Sequence, residues 1–291
     1  MNHIPVYYSP RQVAYPNAFS PSASKPAEVV ADWLKTGLPI EVREPEPATR
    51  ETLTLAHTRE YVDAILECRA RNGFGESSHA VADSLPWTSG SFLSAAREAL
   101  ANQRVAASPT SGFHHAGRDR ASGFCTFNGL TVAALQLKAE NRVRRVAILD
   151  SDYHYGDGTE DIIAALKIDW IRHVTGYSDE ANVPRYLANL ADVVRRFADC
   201  DLLLYQAGAD PHVDDPMGGF LTTEQLAERD RIVFSMARRI GLPVVWNLAG
   251  GYQDPFENVL EIHRNTMAAA RDAFVDVQAA STPIRLHEKQ R

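Results

Sequence analysis

Apolar positions along the chain follow two alternating rhythms. Short, almost unbroken apolar runs occur at 146–149 (VAIL), 202–205 (LLLY) and 244–248 (VVWNL), and a further strand is read near 168–174. Runs this short and this apolar predict strands buried on both faces. Between them lie longer segments with helical spacing, at 128–140, 158–166, 183–198, 223–240 and 255–275. This alternation predicts a single α/β domain with a central, mostly parallel sheet and helices on both faces. The first half is less regular. Residues 27–36 read as a short helix stopped by Gly37 and Pro39, and helical patterns cover 59–70 and 91–102. PNAFSPSASKP at 16–26 reads as a loop, and so does the polar, Gly- and Ser-containing stretch 73–85. The domain is expected over 1–281, with 282–291 as a loose tail.

In open parallel sheets, ligands bind beyond the carboxyl ends of the strands. Three polar clusters fall there: DSDYH after VAIL, GAD after LLLYQ, and AGGY after VVWNL. Their convergence on one rim says more than any one of them.

Composition narrows the function classes. The 291 residues are 45% hydrophobic, enough for a large core. The net charge is −7, and the densest basic cluster (Arg142, Arg144 and Arg145) is short, which argues against nucleic acid. Cys68, Cys125 and Cys200 are few, odd in number and not in CxxC spacing, which fits a reduced compartment. The N-terminus lacks a basic segment followed by an apolar core, and no apolar run approaches the ~20 residues of a membrane span. A cytoplasmic protein without nucleic-acid or membrane partners is expected. Oligomeric state stays open.

Asp150, Asp152 and His154 stand at i, i+2 and i+4, which point one way in an extended chain. Three ionisable groups at the end of an apolar strand need partners or a metal. Zinc accepts carboxylate and imidazole ligands at about 2.0–2.2 Å, and Asp210 is the best third ligand after the Asp-x-His pair. Three protein ligands leave a position for water and substrate, as catalytic sites do. Alone, the run reads equally well as a solvated strand end. His114 and His115 can supply a general base and a charged partner beside a metal. Asp150 and Asp157 are the candidate acceptors for them, although an isolated His-His reads more readily as a surface pair. In AGGY, glycines allow close backbone approach, and Tyr252 can place a phenol against developing oxyanion charge. By itself the tetrapeptide is also an ordinary turn. His57, His79, His212 and His263 lack ligand-like spacing and read as structural or exposed. Cys125 reads as a small buried side chain.

Taken together, FHHAGRDRASGFCTFN, DSDYHYGDGTED, QAGADPHVDDPMGGF and LAGGY resemble the histone deacetylase family, of the bacterial lysine deacylase and acetylpolyamine amidohydrolase type. The motifs span 112–252 in the family's order, and VYYSP and HTREYV extend the likeness weakly toward the start. The resemblance implies the arginase/deacetylase fold. It implies one zinc ion on Asp152, His154 and Asp210, with His115 as general base and acid and His114 as its electrostatic partner. It pairs Asp150 with His114 and Asp157 with His115, and makes Tyr252 the carbonyl-polarising residue. Gly123, Phe124 and Met217 match channel positions, and a potassium or sodium ion is implied on backbone near Asp150, Asp152 and His154. Two departures stand out. Tyr155 follows His154 where many members have a second histidine. The segment 167–182 is short, with Tyr177 the candidate for a channel aromatic. The implied reaction is hydrolysis of an N-acyl amide. Acetyl-lysine in proteins or peptides is the first expected substrate, and small acylated amines such as acetylpolyamines the second. A relative that binds acyl ligands without cleaving them is the third reading.

Overall fold

The computed structural model describes residues 1–176 and 182–275; Tyr177 and the 282–291 tail lie outside them. The chain opens with β1 (Ile4–Tyr7), α1 (Lys25–Lys35) and β2 (Ile40–Arg43). Three helices follow: α2 (Arg50–Ala56), α3 (Arg59–Leu66) and α4 (His79–Asn102). Alternation then sets in, with β3 (Val105–Ser111), α5 (Gly129–Ala139), β4 (Val146–Asp150), α6 (Asp157–Ala165) and β5 (Ile171–Thr175). It ends with α7 (Val183–Arg195), β6 (Leu202–Gly208), α8 (Thr223–Arg239), β7 (Val244–Ala249) and α9 (Glu257–Phe274). The strands form one sheet in the order β2-β1-β3-β7-β6-β4-β5, and each of these strands runs parallel to its neighbours.

Side-chain alternation explains why helices cover both faces. Ala147, Leu149, Leu203, Tyr205, Val244 and Trp246 turn to one side, where Trp33 of α1, Val194 of α7, Phe234 of α8 and Phe274 of α9 pack. Val146, Ile148, Leu202, Leu204 and Val245 turn to the other, against Phe92 of α4 and Leu130 and Leu137 of α5. Each fully buried valine, leucine, isoleucine or phenylalanine among them contributes about 1.5–3 kcal/mol relative to exposure. The expected α/β sheet with two helical layers is therefore present.

The amino-terminal half departs from the sequence reading. The stretch 73–85 is a loop only as far as Ser78, whose hydroxyl accepts the Val81 N–H and starts α4 at His79. Pro86 lies inside that helix, and its carbonyl accepts the Ala48 N–H from a neighbouring loop. Burial of Phe92, Ala95 and Ala96 outweighs the poor helical propensity of Pro86 and Gly90. A side chain at Gly90 would meet the Glu46 carbonyl at 2.0 Å, so the glycine serves a close approach. The apolar reading also misses β2, whose IEVR is half exposed, and β3, whose VAASPTS is buried but built from small residues.

Candidate active site

Four consecutive strands of the sheet, β3-β7-β6-β4, supply the site from their carboxyl ends. Their registers bring those ends level: Asp150 pairs with Gln206, Gly208 with Ala249, and Ser111 with Leu248 after an irregularity that begins at Ser108. The loop after β3 carries His114 and His115, and the segment after β4 carries Asp152 and His154. Asp210 follows β6 and Tyr252 follows β7.

Asp152, His154 and Asp210 offer ligand atoms that all lie within 4.8 Å of one another. His154 Nδ1 stands 3.0 Å from Asp210 Oδ2 and 3.2 Å from Asp152 Oδ1. Both carboxylates are buried. Burial and the negative charge of Asp152 push Asp210 up to about 7. Hydrogen bonds that His154 donates to both carboxylates raise it to about 10. Two buried carboxylates thus gather positive charge at the point their oxygens share, which is the electrostatic environment a divalent cation satisfies. The donors fit a metal ion in kind, number and spacing. The positions also exclude bulk: a side chain at Gly250 would lie 2.1 Å from Asp210 Cγ, and one at Gly208 would lie 2.9 Å from Asp210 Oδ1.

The expectation that Asp150, Asp152 and His154 converge by strand alternation is corrected. β4 ends at Asp150, and the chain bends over 152–154. Asp152 Oδ1 accepts the His154 N–H at 2.9 Å, which bends the segment back on itself. Asp150 points elsewhere, to His114.

His114 and His115 face one cleft with ring centroids 4.1 Å apart, and their Nδ1 atoms lie 2.6 Å from Asp150 Oδ2 and Asp157 Oδ1 respectively. Burial disfavours charge on His114, but Asp150 and Asp152 outweigh it and raise His114 to about 9. Burial and the charge on His114 lower His115, against the pull of Asp157. One imidazole is therefore held charged and the other neutral. Arg120 also donates to Asp157, at 3.0 Å.

Tyr252, Phe124, Gly123 and Met217 line the same cleft, which opens to solvent. Tyr252 and Phe124 lie 5.8 Å apart by ring centroid. A side chain at Gly123 would strike His115 Cδ2 at 2.3 Å. Burial and the charges of Asp152 and Asp210 push the Tyr252 phenol far above its ordinary value, so it stays a donor. The other histidines stand apart from the metal group. His57, for example, is buried between the Gly117 carbonyl and the Asn128 N–H.

Several neighbours were not singled out from the sequence. Gln206 donates to Asp150 Oδ1 at 2.9 Å and accepts the Phe113 N–H at 3.0 Å, tying β6 to the support of His114 and to the start of the histidine loop. A glutamine inside the apolar run LLLYQ was the available signal. The segment ahead of α1 brings Phe19 against Phe124, and α1, which starts inside the stretch 16–26 read as a loop, buries its first residue Lys25, whose ammonium donates to the Gly250 carbonyl. Nothing local to that loop marked either residue.

The chain belongs to the histone deacetylase family: the histone deacetylase domain profile matches residues 21–168 and 165–269. A protein of Picosynechococcus is 27% identical over 263 residues, covering 81% of this chain and 87% of its own length. Acetylpolyamine amidohydrolase 1 of Pseudomonas aeruginosa is 32% identical over 172 residues, and that match spans 48% of each chain. The crystal structure of an acetylpolyamine aminohydrolase from Burkholderia pseudomallei superposes with a TM-score of 0.73 at 20% identity, covering 92% of this chain and 98% of that one. This likeness supports the arginase/deacetylase-like fold. Family and relatives together mark the chain as a hydrolase of the deacetylase class. Among the described residues, no helix is long and apolar enough to cross a membrane.

Proposed function

We propose that this chain hydrolyses N-acyl amides with one zinc ion, and that an acetylated lysine side chain of a protein or peptide is its first substrate. The observation that carries the reading is the Asp152–His154–Asp210 group, whose Asp152 and His154 line one cleft with the His114/His115 pair and Tyr252. Zinc held by those three side chains would supply Lewis-acid polarisation and a lowered water pKa. His115, neutral and oriented through Nδ1 by Asp157, keeps Nε2 for the proton of the attacking water. The water oxygen bonds to the acyl carbon. The Tyr252 hydroxyl donates to the carbonyl oxygen as negative charge develops there. His114, charged and anchored on Asp150, offsets that same charge from the cleft floor. His115 then passes the proton to the amine nitrogen, the C–N bond breaks, and carboxylate and free amine leave.

A monovalent cation on backbone near Asp150, Asp152 and His154 and a cytoplasmic location belong to the same proposal. So does a catalytic domain over 1–281. The name of the Pseudomonas relative favours a second substrate reading, small acetylated amines. The experiment is metal analysis of the purified chain, with acetate release measured on acetyl-lysine peptides and acetylated diamines, with and without a hydroxamate chelator. One zinc per chain and hydroxamate-sensitive acetate release support the proposal. Peptide turnover favours the first substrate and diamine turnover the second. A zinc-loaded chain that binds both and cleaves neither overturns it in favour of a non-catalytic binder.

A further inference from the structure

The loop between β6 and α8 holds a carboxylate that the scheme above leaves unused. Asp215 is 6% exposed, and its two oxygens serve different walls of the cleft. Oδ1 accepts the Met217 N–H at 2.9 Å, and Oδ2 accepts the Tyr252 N–H at 2.8 Å. One side chain therefore ties the channel-wall methionine to the turn that carries the phenol.

That turn needs external ties. Gly250 and Gly251 precede Tyr252 at φ +46° and +89°, and consecutive glycines hold a conformation weakly by themselves. Lys25 secures the turn through the Gly250 carbonyl, and Asp215 secures it through the Tyr252 amide. Hydrogen bonds to an ionised carboxylate are roughly twice as strong as neutral ones.

We propose that Asp215 is a positioning residue that sets the Tyr252 phenol and the Met217 wall in one register, and so acts on turnover through Tyr252. The proposal rests on the reading of Tyr252 as the donor to the substrate carbonyl. In Asp215→Asn one oxygen remains an acceptor, but the amide NH₂ must face the other backbone N–H. One tie then becomes a clash of donors.

The test is a double-mutant cycle on the zinc-loaded full chain, using whichever of an acetyl-lysine peptide or an acetylated diamine the wild type cleaves. Asp215→Asn should keep one zinc per chain and lower kcat about 10–100-fold, the range for a hydrogen bond to a charged group. In the Tyr252→Phe background the same change should cost no more than about twofold, because the group it positions has already lost its hydroxyl. Equal losses in the two backgrounds, or an unchanged kcat in the single variant, would overturn the proposal. If Tyr252→Phe itself matches the wild type, the underlying reading of Tyr252 falls and takes this inference with it. That result is distinct from additivity on an impaired Tyr252→Phe enzyme. Should Asp215→Asn fail to give folded, zinc-loaded protein, Asp215→Glu enters the same cycle with the same two outcomes.

Discussion

At the scale of single residues, the site works by setting like groups apart. His114 and His115 are neighbours in sequence with equal hydrogen bonds to carboxylates, yet their surroundings drive their pKa values in opposite directions. The pH dependence follows. His115 lies below its ordinary 6.5, is neutral at pH 7, and gains a proton as pH falls, so kcat/KM should decline on an acid limb below 6.5. His114, raised to about 9, keeps its proton at pH 7 and loses it above about 9, which sets the alkaline limb. Asp150→Asn removes the charge that holds His114 up, so that limb should move to lower pH. A pH-rate series from 5 to 10 on both proteins checks this, and an unmoved alkaline limb would refute the assignment. Tyr252→Phe should retain one zinc per chain and lose about 10²–10³ in kcat, as expected when one oxyanion donor is removed. Metal content and turnover measured on the same sample decide it.

At the scale of elements, the β7–α9 turn joins the Asp152–His154–Asp210 group to the cleft. Gly250 sits with positive φ directly against the Asp210 carboxylate. Gly250→Ala should push that carboxylate aside, so zinc affinity should fall at least tenfold even though Gly250 is no ligand. Competition with a chromogenic chelator measures this, and a wild-type affinity would show that the turn yields more readily than its packing indicates. The elements also show what the sequence makes legible. β4, β6 and β7 are visible because large apolar side chains line both faces, and their polar ends mark the rim. β3 is equally buried but carries alanine, serine and threonine, so no apolar rhythm announces it. α4 hides behind Pro86 and Gly90, which long-range packing overrides. The metal and histidine residues stand out by type and spacing. Asp215, Gln206 and Lys25 act through backbone groups of distant segments, and no local pattern records such partners.

For the whole molecule, the proposed zinc site would link metal binding to folding. Asp152 and Asp210 hang from neighbouring strands, so an ion they share joins two crossovers of the sheet. Removing zinc with a chelator should abolish acetate release and lower the unfolding midpoint by roughly 5–10 °C relative to protein holding zinc at ~100 times its Kd. Readdition should restore both. A midpoint indifferent to chelation would argue against a shared ion.

The strand order has one more consequence, for where the molecule opens first. The four site-bearing strands β3, β7, β6 and β4 are contiguous, whereas half-exposed β2 sits at an outer edge, separated from them by β1. Fraying of β2 therefore leaves the ligand geometry standing. In deuterium exchange the amides of 40–43 would label through small local openings, those of 202–208 and 244–249 only through global unfolding. Catalysis would then outlast the loosening of that margin as the protein is warmed.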